Sequence, residues 1–153
     1  MANRSIKYFL EKEIGKKQGL IKDIKGKILG KHQGLHFYTI GQRKGINLSD
    51  GPYFARNFDI SNNFLIVTKN EKDLYQKGIL LYPCNFISGI YPKNKILIQA
   101  KVRSHQKLFK AKLFPISKNR IKLVFNKPQK GITPGQFAVF YQKNVCLGGG
   151  CIL

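Results

Sequence analysis

The sequence predicts a mainly β protein with one short N-terminal helix, a small β domain and, after it, a closed barrel of six strands. Helical periodicity occurs convincingly only once, near the N terminus. Short alternating runs separated by turn residues fill the remainder, at about the 8–12-residue spacing typical of small barrels. The apolar fraction of 42% is enough to build a core.

The predicted helix spans Arg4–Ile14. Ile6, Phe9, Leu10 and Ile14 recur at helical spacing, and Gly15 is a typical helix stop. An apolar stripe of this kind usually covers a neighbouring layer, so we expect the helix to pack on a sheet.

The first domain is predicted to continue as strands, up to a boundary in the polar stretch Lys69–Gln76. We place that boundary near residue 73, which gives domains of residues 1–73 and 74–153. The predicted strands are Gly19–Ile24, Lys27–Gly30, Leu35–Ile40, Pro52–Ile60 and Phe64–Lys69, with turns at Lys25-Gly26 and at Ser61–Asn63.

The second domain is predicted to form the barrel. In Ile96–Arg103 and Phe109–Ile116 apolar residues alternate with polar ones, and Lys110 and Lys112 are expected to face outward. The glycines of Leu147–Cys151 should allow close backbone packing in the last strand. The remaining predicted strands are two short ones, Ile79–Tyr82 and Cys84–Ser88, then Ile121–Phe125, Phe137–Tyr141 and Asn144–Ile152.

The charges are distributed unevenly along the chain. All seven Asp and Glu lie at or before Asp73, whereas 14 of the 28 Lys and Arg follow it, so residues 74–153 carry a formal charge of +14. This segment cannot neutralise itself and requires an anionic partner. It also lacks carboxylates for general-base catalysis or metal binding. Nucleic acid is the favoured partner.

The runner-up partner is a membrane surface, which would require a basic amphipathic helix or a lipidation site. No apolar run approaches the roughly 20 residues of a spanning helix. No signal peptide is visible either. We therefore expect a cytoplasmic protein without membrane contact.

The cysteines and histidines do not predict a metal site or a disulfide framework. Cys84, Cys146 and Cys151 are odd in number. His32 and His36 would share a metal only on a helix, but Gly34 and the β-like flanks oppose a helix there. The two imidazoles are interpreted as structural or RNA-facing.

Two turns are candidates for contact with RNA. Gln42, Arg43 and Lys44 lie between two glycines, which suits phosphate binding but is equally typical of a solvated turn. Thr133–Gln136 contains a Pro-Gly turn that would fix Gln136 at the start of a strand. The Gln136 amide could contact a base or ribose, or could only tie down its own turn.

Four segments share a pattern with a known family: Gly30–Gly34, His36–Gly45, Thr133–Tyr141 and Val145–Gly150. Taken together, they resemble the tRNA-specific 2-thiouridylases of bacteria and organelles, over essentially the whole chain. The resemblance implies a three-part enzyme: an N-terminal ATP-pyrophosphatase domain that uses ATP with Mg, a central β domain, and a C-terminal barrel similar to the second domain of translation elongation factors. Such an enzyme adenylates the wobble uridine of tRNA and replaces its O2 with sulfur from a cysteine persulfide.

The resemblance covers only the last two parts, because the sequence has no phosphate loop. The family's persulfide cysteine would precede the helix, where this chain reads Met1-Ala2-Asn3-Arg4. We therefore assign no catalytic residue, cofactor or metal to this chain and expect it to be inactive alone. An ATP-pyrophosphatase domain in trans and a sulfur-relay protein or cysteine desulfurase are the implied partners.

The family's barrel contacts to tRNA fall on Arg103, Ser104 and Gln136, with Ser104 in the place of a tyrosine. We expect Arg103 and Gln136 to converge on one rim of the barrel without supporting the fold. The rival interpretation is a stand-alone basic β-barrel protein that binds RNA or the ribosome without catalysis.

Overall fold

A computed structural model describes residues 6–153. The described chain divides into two compact units, the first ending at Leu74 and the second spanning Tyr75–Leu153. The first unit holds the helix and a four-stranded sheet, and the second is a closed six-stranded barrel. The mainly β fold class is confirmed.

Helix α1 spans Ile6–Ile14. It ends as predicted at Gly15, whose φ is 78° and whose N–H donates to the carbonyl oxygen of Glu11 at 3.0 Å. The predicted start at Arg4 lies outside the described residues. The prediction that the apolar stripe packs on a sheet is wrong, because Ile6, Phe9 and Ile14 are 79%, 59% and 60% exposed to solvent.

The sheet of the first unit has the order β2-β1-β4-β3. Strands β1 and β4 are parallel, and the other two pairs are antiparallel. Ile21, Ala55, Leu65 and Val67 form its buried core together with Ile46 from a loop. The strands are β1 (Gly19–Asp23), β2 (Ile28–His32), β3 (Phe54–Asp59) and β4 (Phe64–Thr68).

The strand predicted over Leu35–Ile40 is wrong. Leu35–Phe37 is a single 3-10 turn, and an irregular loop follows it. The His36 Nε2–H donates to the carbonyl oxygen of Gly15 at 3.1 Å, and Leu35 and Tyr38 pack on the core of the sheet. The segment is apolar because it covers the sheet, which period-2 reasoning cannot distinguish from strand membership.

His32 is a buried polar residue that links separate segments of the first unit. Its Nε2–H donates to the carbonyl oxygen of Asn63 at 3.1 Å, and the Asn63 side-chain amide donates to the carbonyl oxygen of Gln18 at 2.7 Å. Among the described residues, the His32 Nδ1 is buried and has no hydrogen-bond partner. Burial lowers the pKa of His32 below its usual value of 6.5, so the neutral ring is the folded form.

The barrel of the second unit has the closed order β10-β5-β8-β7-β6-β9, with every pair antiparallel. Alternate residues point inward and build its core, and Lys110 and Lys112 face outward as predicted. The strands are β5 (Tyr75–Phe86), β6 (Ile96–Lys101), β7 (Phe109–Ser117), β8 (Arg120–Lys130), β9 (Phe137–Gln142) and β10 (Val145–Ile152).

The two short strands predicted at Ile79–Tyr82 and Cys84–Ser88 are wrong, because β5 is one strand of 12 residues. Its pairing with β8 extends to Leu81, and its pairing with β10 includes Cys84 to Phe86. The pairing with β10 also includes Leu81, and Pro83 lies at the irregularity between Leu81 and Cys84, where a missing N–H is tolerated.

Strand β10 approaches its neighbours as closely as the glycine run predicts. A Cβ on Gly148 would lie 2.1 Å from the backbone oxygen of Asn85, and one on Gly150 would lie 2.4 Å from the sulfur of Cys84. Side chains at these positions would push β10 away from β5. The glycine run therefore allows the close strand packing that the closed barrel requires.

We expect acid to destabilise the first unit through His32. The unfolded chain protonates His32 below about pH 6.5, whereas burial opposes protonation in the folded state. The free energy of unfolding should therefore be highest above pH 6.5 and fall as the pH is lowered through it. Thermal unfolding between pH 7.5 and 5.5 measures this loss.

The variant for this measurement is His32→Gln, which retains an N–H donor but does not titrate. Its melting temperature should depend less on pH than that of the unsubstituted protein. His105→Gln, at an exposed position of the barrel, serves as the control. If the melting temperatures of H32Q and the unsubstituted protein depend equally on pH, His32 is not the source of the destabilisation by acid.

We expect Gly148→Ala to destabilise the barrel more than Gly89→Ala. Both residues have positive φ, 152° and 71°, but an added Cβ at Gly89 meets no atom within 4 Å. G89A therefore reports backbone strain alone, of order 1–2 kcal/mol, and G148A adds the collision with Asn85. Denaturant unfolding of the two variants measures the difference, and equal losses would show that β10 can move away without cost.

Candidate nucleic-acid interface

One end of the barrel carries an open pocket with a volume of about 700 Å³. The turn after β6, the end of β8 and the start of β9 form its walls. Arg103, Ser104 and Gln136, the three barrel residues singled out in the sequence, all line it. The lining also includes Val102, His105, Gln106, Lys130 and Phe137.

Arg103 begins the turn after β6. Its backbone carbonyl accepts a hydrogen bond from the N–H of Gln106 at 3.1 Å, and its guanidinium donates from Nη2 to the carbonyl oxygen of Gly131. The expectation that Arg103 has no part in the fold is therefore wrong, because this bond joins two loops. A guanidinium has five N–H donors, so others remain for a ligand.

Gln106 fixes the same turn through its side chain. Its Oε1 accepts the N–H of Val102 at 3.3 Å, and its Nε2 donates to Oε1 of Gln129 at 3.1 Å. Ser104 is exposed within this turn. The turn is thus held in one shape while Ser104 stays accessible.

Gln136 closes the Thr133–Gln136 turn through its backbone. Its N–H donates to the carbonyl oxygen of Thr133 at 3.2 Å, and its carbonyl accepts from the N–H of Ile152 at 2.8 Å. Gly135 has the positive φ, 85°, that a type II turn requires at this place. The side-chain Oε1 is buried and has no hydrogen-bond partner in the described part of the chain. The amide carbonyl therefore has acceptor capacity that no described group uses.

Phe137, His105 and Lys130 are pocket residues that the sequence reasoning did not single out. Phe137 is 65% exposed beside Gln136. Alternation along β9 could have revealed it, because Ala138 and Phe140 point inward and residue 137 must point outward.

The basic turn of the first unit is internally braced. The Gln42 Oε1 accepts the N–H of Thr39 at 3.0 Å, and its Nε2 donates to the carbonyl oxygen of Lys44 at 2.8 Å. The Gln42 amide is thus used in shaping the turn. The side chains of Arg43 and Lys44 are exposed and carry its charge.

Cys84, His32 and His36 have surroundings that suit structural roles. Burial raises the pKa of Cys84 to about 11, so its thiol is protonated at neutral pH and a poor nucleophile. His32 and His36 each donate to a backbone carbonyl. Across residues 6–153 the structure holds no group of three or more His, Cys, Asp or Glu arranged to bind a metal ion.

Within the described chain, no helix has the length and apolar character needed to cross a membrane.

Two family models match the chain. The tRNA methyl transferase PRC-barrel domain matches residues 7–69. The aminomethyltransferase β-barrel domain matches residues 76–152, which is half of the sequence.

The curated relatives include proteins named tRNA-specific 2-thiouridylase MnmA. That of Gloeothece citriformis is 43% identical over 152 residues, and that of Rippkaea orientalis is 41% identical over 152 residues. That of Malacoplasma penetrans is 40% identical over 156 residues. Each match covers 99% of this chain but only 42–43% of the relative, so the chain spans less than half their length. The chain therefore belongs to the tRNA-specific 2-thiouridylase family and corresponds to its central and C-terminal domains.

Proposed function

We propose that this chain is the tRNA-binding part of an enzyme that 2-thiolates the wobble uridine of tRNA, and that the Arg103–Gln136 pocket binds the tRNA. One observation carries the proposal: Arg103 and Gln136, from separate loops, line a single pocket of a domain without carboxylates. Phosphate and a base or ribose edge can then be bound at one place.

Arg103 is suited to phosphate. The bond to Gly131 orients the guanidinium and leaves further N–H groups for a bidentate pair with phosphate oxygens. Because residues 74–153 contain no Asp or Glu, no carboxylate within the barrel competes for this cation.

Gln136 is suited to a base or ribose edge. Its buried Oε1 lacks a donor, and an unsatisfied buried acceptor costs about 1–3 kcal/mol. An amino or hydroxyl group of RNA would satisfy it once the amide turns toward the pocket on binding. A ligand that restores this hydrogen bond gains affinity without disturbing the turn, which the backbone already holds.

The chemistry of thiolation is proposed to belong to another domain and to partner proteins, and not to the two domains of this chain. Gly148–Gly150 cannot cradle the phosphates of ATP, since β5 and β9 occupy the space around them. An ATP-pyrophosphatase domain, in the same polypeptide or in trans, would bind ATP with Mg. A sulfur-relay protein or cysteine desulfurase would supply the persulfide sulfur, in the cytoplasm.

The exposed Arg43 and Lys44 are proposed as a further contact on the first unit. Gly41 and Gly45 have positive φ, 85° and 82°, and bound the turn that presents these two cations. Gln42 contributes by bracing that turn.

We expect tRNA binding to weaken steeply with salt, and Arg103→Ala to flatten that dependence. Each phosphate neutralised contributes a slope of about 0.7–0.9 in log K against log salt, so R103A should lose up to one such step. Filter binding of tRNA between low and moderate salt measures the slope. Arg103→Lys, which keeps the charge, should keep the slope while losing bidentate affinity.

Arg120→Ala is the matched control, because Arg120 opens β8 at the end opposite Lys130 and lies outside the pocket. Equal slope changes in R103A and R120A would contradict a local role for Arg103. Tighter binding to anionic vesicles than to tRNA would contradict RNA as the partner.

We expect Gln136→Ala to weaken tRNA binding several-fold with an unchanged salt slope, since the amide carries no charge. Its melting temperature should stay near that of the unsubstituted protein, because the substitution removes an unsatisfied buried oxygen. Gln76→Ala, at an exposed position of β5, is the control. If Q136A instead loses several degrees of stability and keeps full affinity, Gln136 only supports its turn.

A further inference from the structure

Strands β6 and β9 present a continuous outer face that starts at the Arg103–Gln136 pocket. Residues 98, 100, 138 and 140 are buried, so the residues between them point outward. Gln99 lies opposite Tyr141, and Lys101 lies opposite Val139. Side chains paired in this way are neighbours on one face of a sheet.

A second depression lies farther along this face. Its volume is about 350 Å³, and its lining includes Gln99, Lys110, Asn126, Tyr141 and Lys143. Lys110 on β7 pairs with Gln99, which pairs in turn with Tyr141 on β9, so the three form a row across three strands. We call this depression the Gln99 pocket.

Four polar side chains of the Gln99 pocket have no partner among the described residues. In residues 6–153 no side-chain hydrogen bond or ion pair engages Gln99, Lys110, Tyr141 or Lys143. Elsewhere the glutamine amides of Gln42 and Gln106 each make two hydrogen bonds within the protein. A concave site where cations, an amide and an aromatic ring all lack partners is suited to a ligand.

We propose that the Gln99 pocket is a second RNA subsite, which extends the bound strand away from the Arg103–Gln136 pocket along β6 and β9. This inference rests on the proposed function. Lys110 and Lys143 neutralise phosphates, the Tyr141 ring offers a face for a base, and the Gln99 amide bonds a base or ribose edge. Cationic grooves with aromatic stacking faces are the usual means of binding single-stranded RNA.

The spacing of the two pockets suits one strand of RNA. Gln99 lies on β6, and Arg103 begins the turn that follows this strand, so the two residues are at most about 13 Å apart along the chain at 3.3 Å per residue. A strand of a few nucleotides, within the site size of small barrel domains, reaches both. Lys101 faces outward between them and continues the positive charge.

The test compares two double variants of equal charge in binding to an in vitro transcribed tRNA. Lys110→Ala with Lys143→Ala should lower affinity at least tenfold and reduce the salt slope by up to two steps of about 0.7 each. The control is Lys77→Ala with Lys118→Ala, two exposed barrel lysines that line neither RNA pocket. Its slope should change by less than half as much.

Tyr141→Ala and Tyr141→Phe separate stacking from the hydroxyl group. Y141A should weaken binding several-fold, whereas Y141F should bind as the unsubstituted protein does, and melting temperatures verify that each variant is folded. If Y141A binds as tightly as Y141F, Tyr141 does not stack a base and the subsite as proposed is wrong.

The outcomes distinguish this inference from the proposed function. If R103A and Q136A weaken tRNA binding while K110A/K143A behaves like K77A/K118A, the Gln99 pocket is not a subsite and the proposed function stands. If the unsubstituted protein binds tRNA with no salt dependence, both the proposed function and this inference are wrong.

Discussion

Closure of the barrel by β10 is the constraint on which the candidate interface depends. This strand pairs with β5 on one side and β9 on the other, and it fits only because Gly148 and Gly150 leave no side chain in the gap. A closed barrel has no free edge and fixes the ends of its strands relative to one another. Since β6 and β9 are neighbours, the loop after one meets the turn before the other, and Arg103 and Gln136 come together.

The same strands place the apolar core and the positive charge on opposite faces of the barrel wall. Inward residues such as Ala100, Leu113 and Phe140 form the apolar core, while the outward residues between them carry the lysines. Without carboxylates in residues 74–153, the barrel has no internal ion pairs with Asp or Glu to hold it together. The apolar core therefore carries the fold, and the surface charge remains available to a polyanion.

Much of the fold follows from local pattern, and the remainder depends on tertiary contacts. Alternation and turn residues identify the barrel strands and the outward lysines, because each inward residue must reach the core. Pattern fails at Leu35–Ile40, whose apolar residues cover the sheet, and at Pro83, which β5 tolerates at the irregularity in its pairing with β10.

The family resemblance of the sequence singled out Arg103, Ser104 and Gln136, and they do line one pocket. It could not reveal that Arg103 also bonds to Gly131, that the Gln42 amide is used in its own turn, or that Phe137 stands exposed beside Gln136. Those facts depend on which loops meet, and no local pattern encodes that.

The uniform sign of the barrel's charge makes salt act on it in two opposite directions. Dissolved ions screen the repulsion among its lysines and arginines, which stabilises the folded barrel, yet the same ions compete with it for RNA phosphates. Bound RNA also stabilises the folded barrel, because a ligand of the native state raises its stability by mass action. At low ionic strength the barrel is thus least stable alone and most strongly stabilised by its partner.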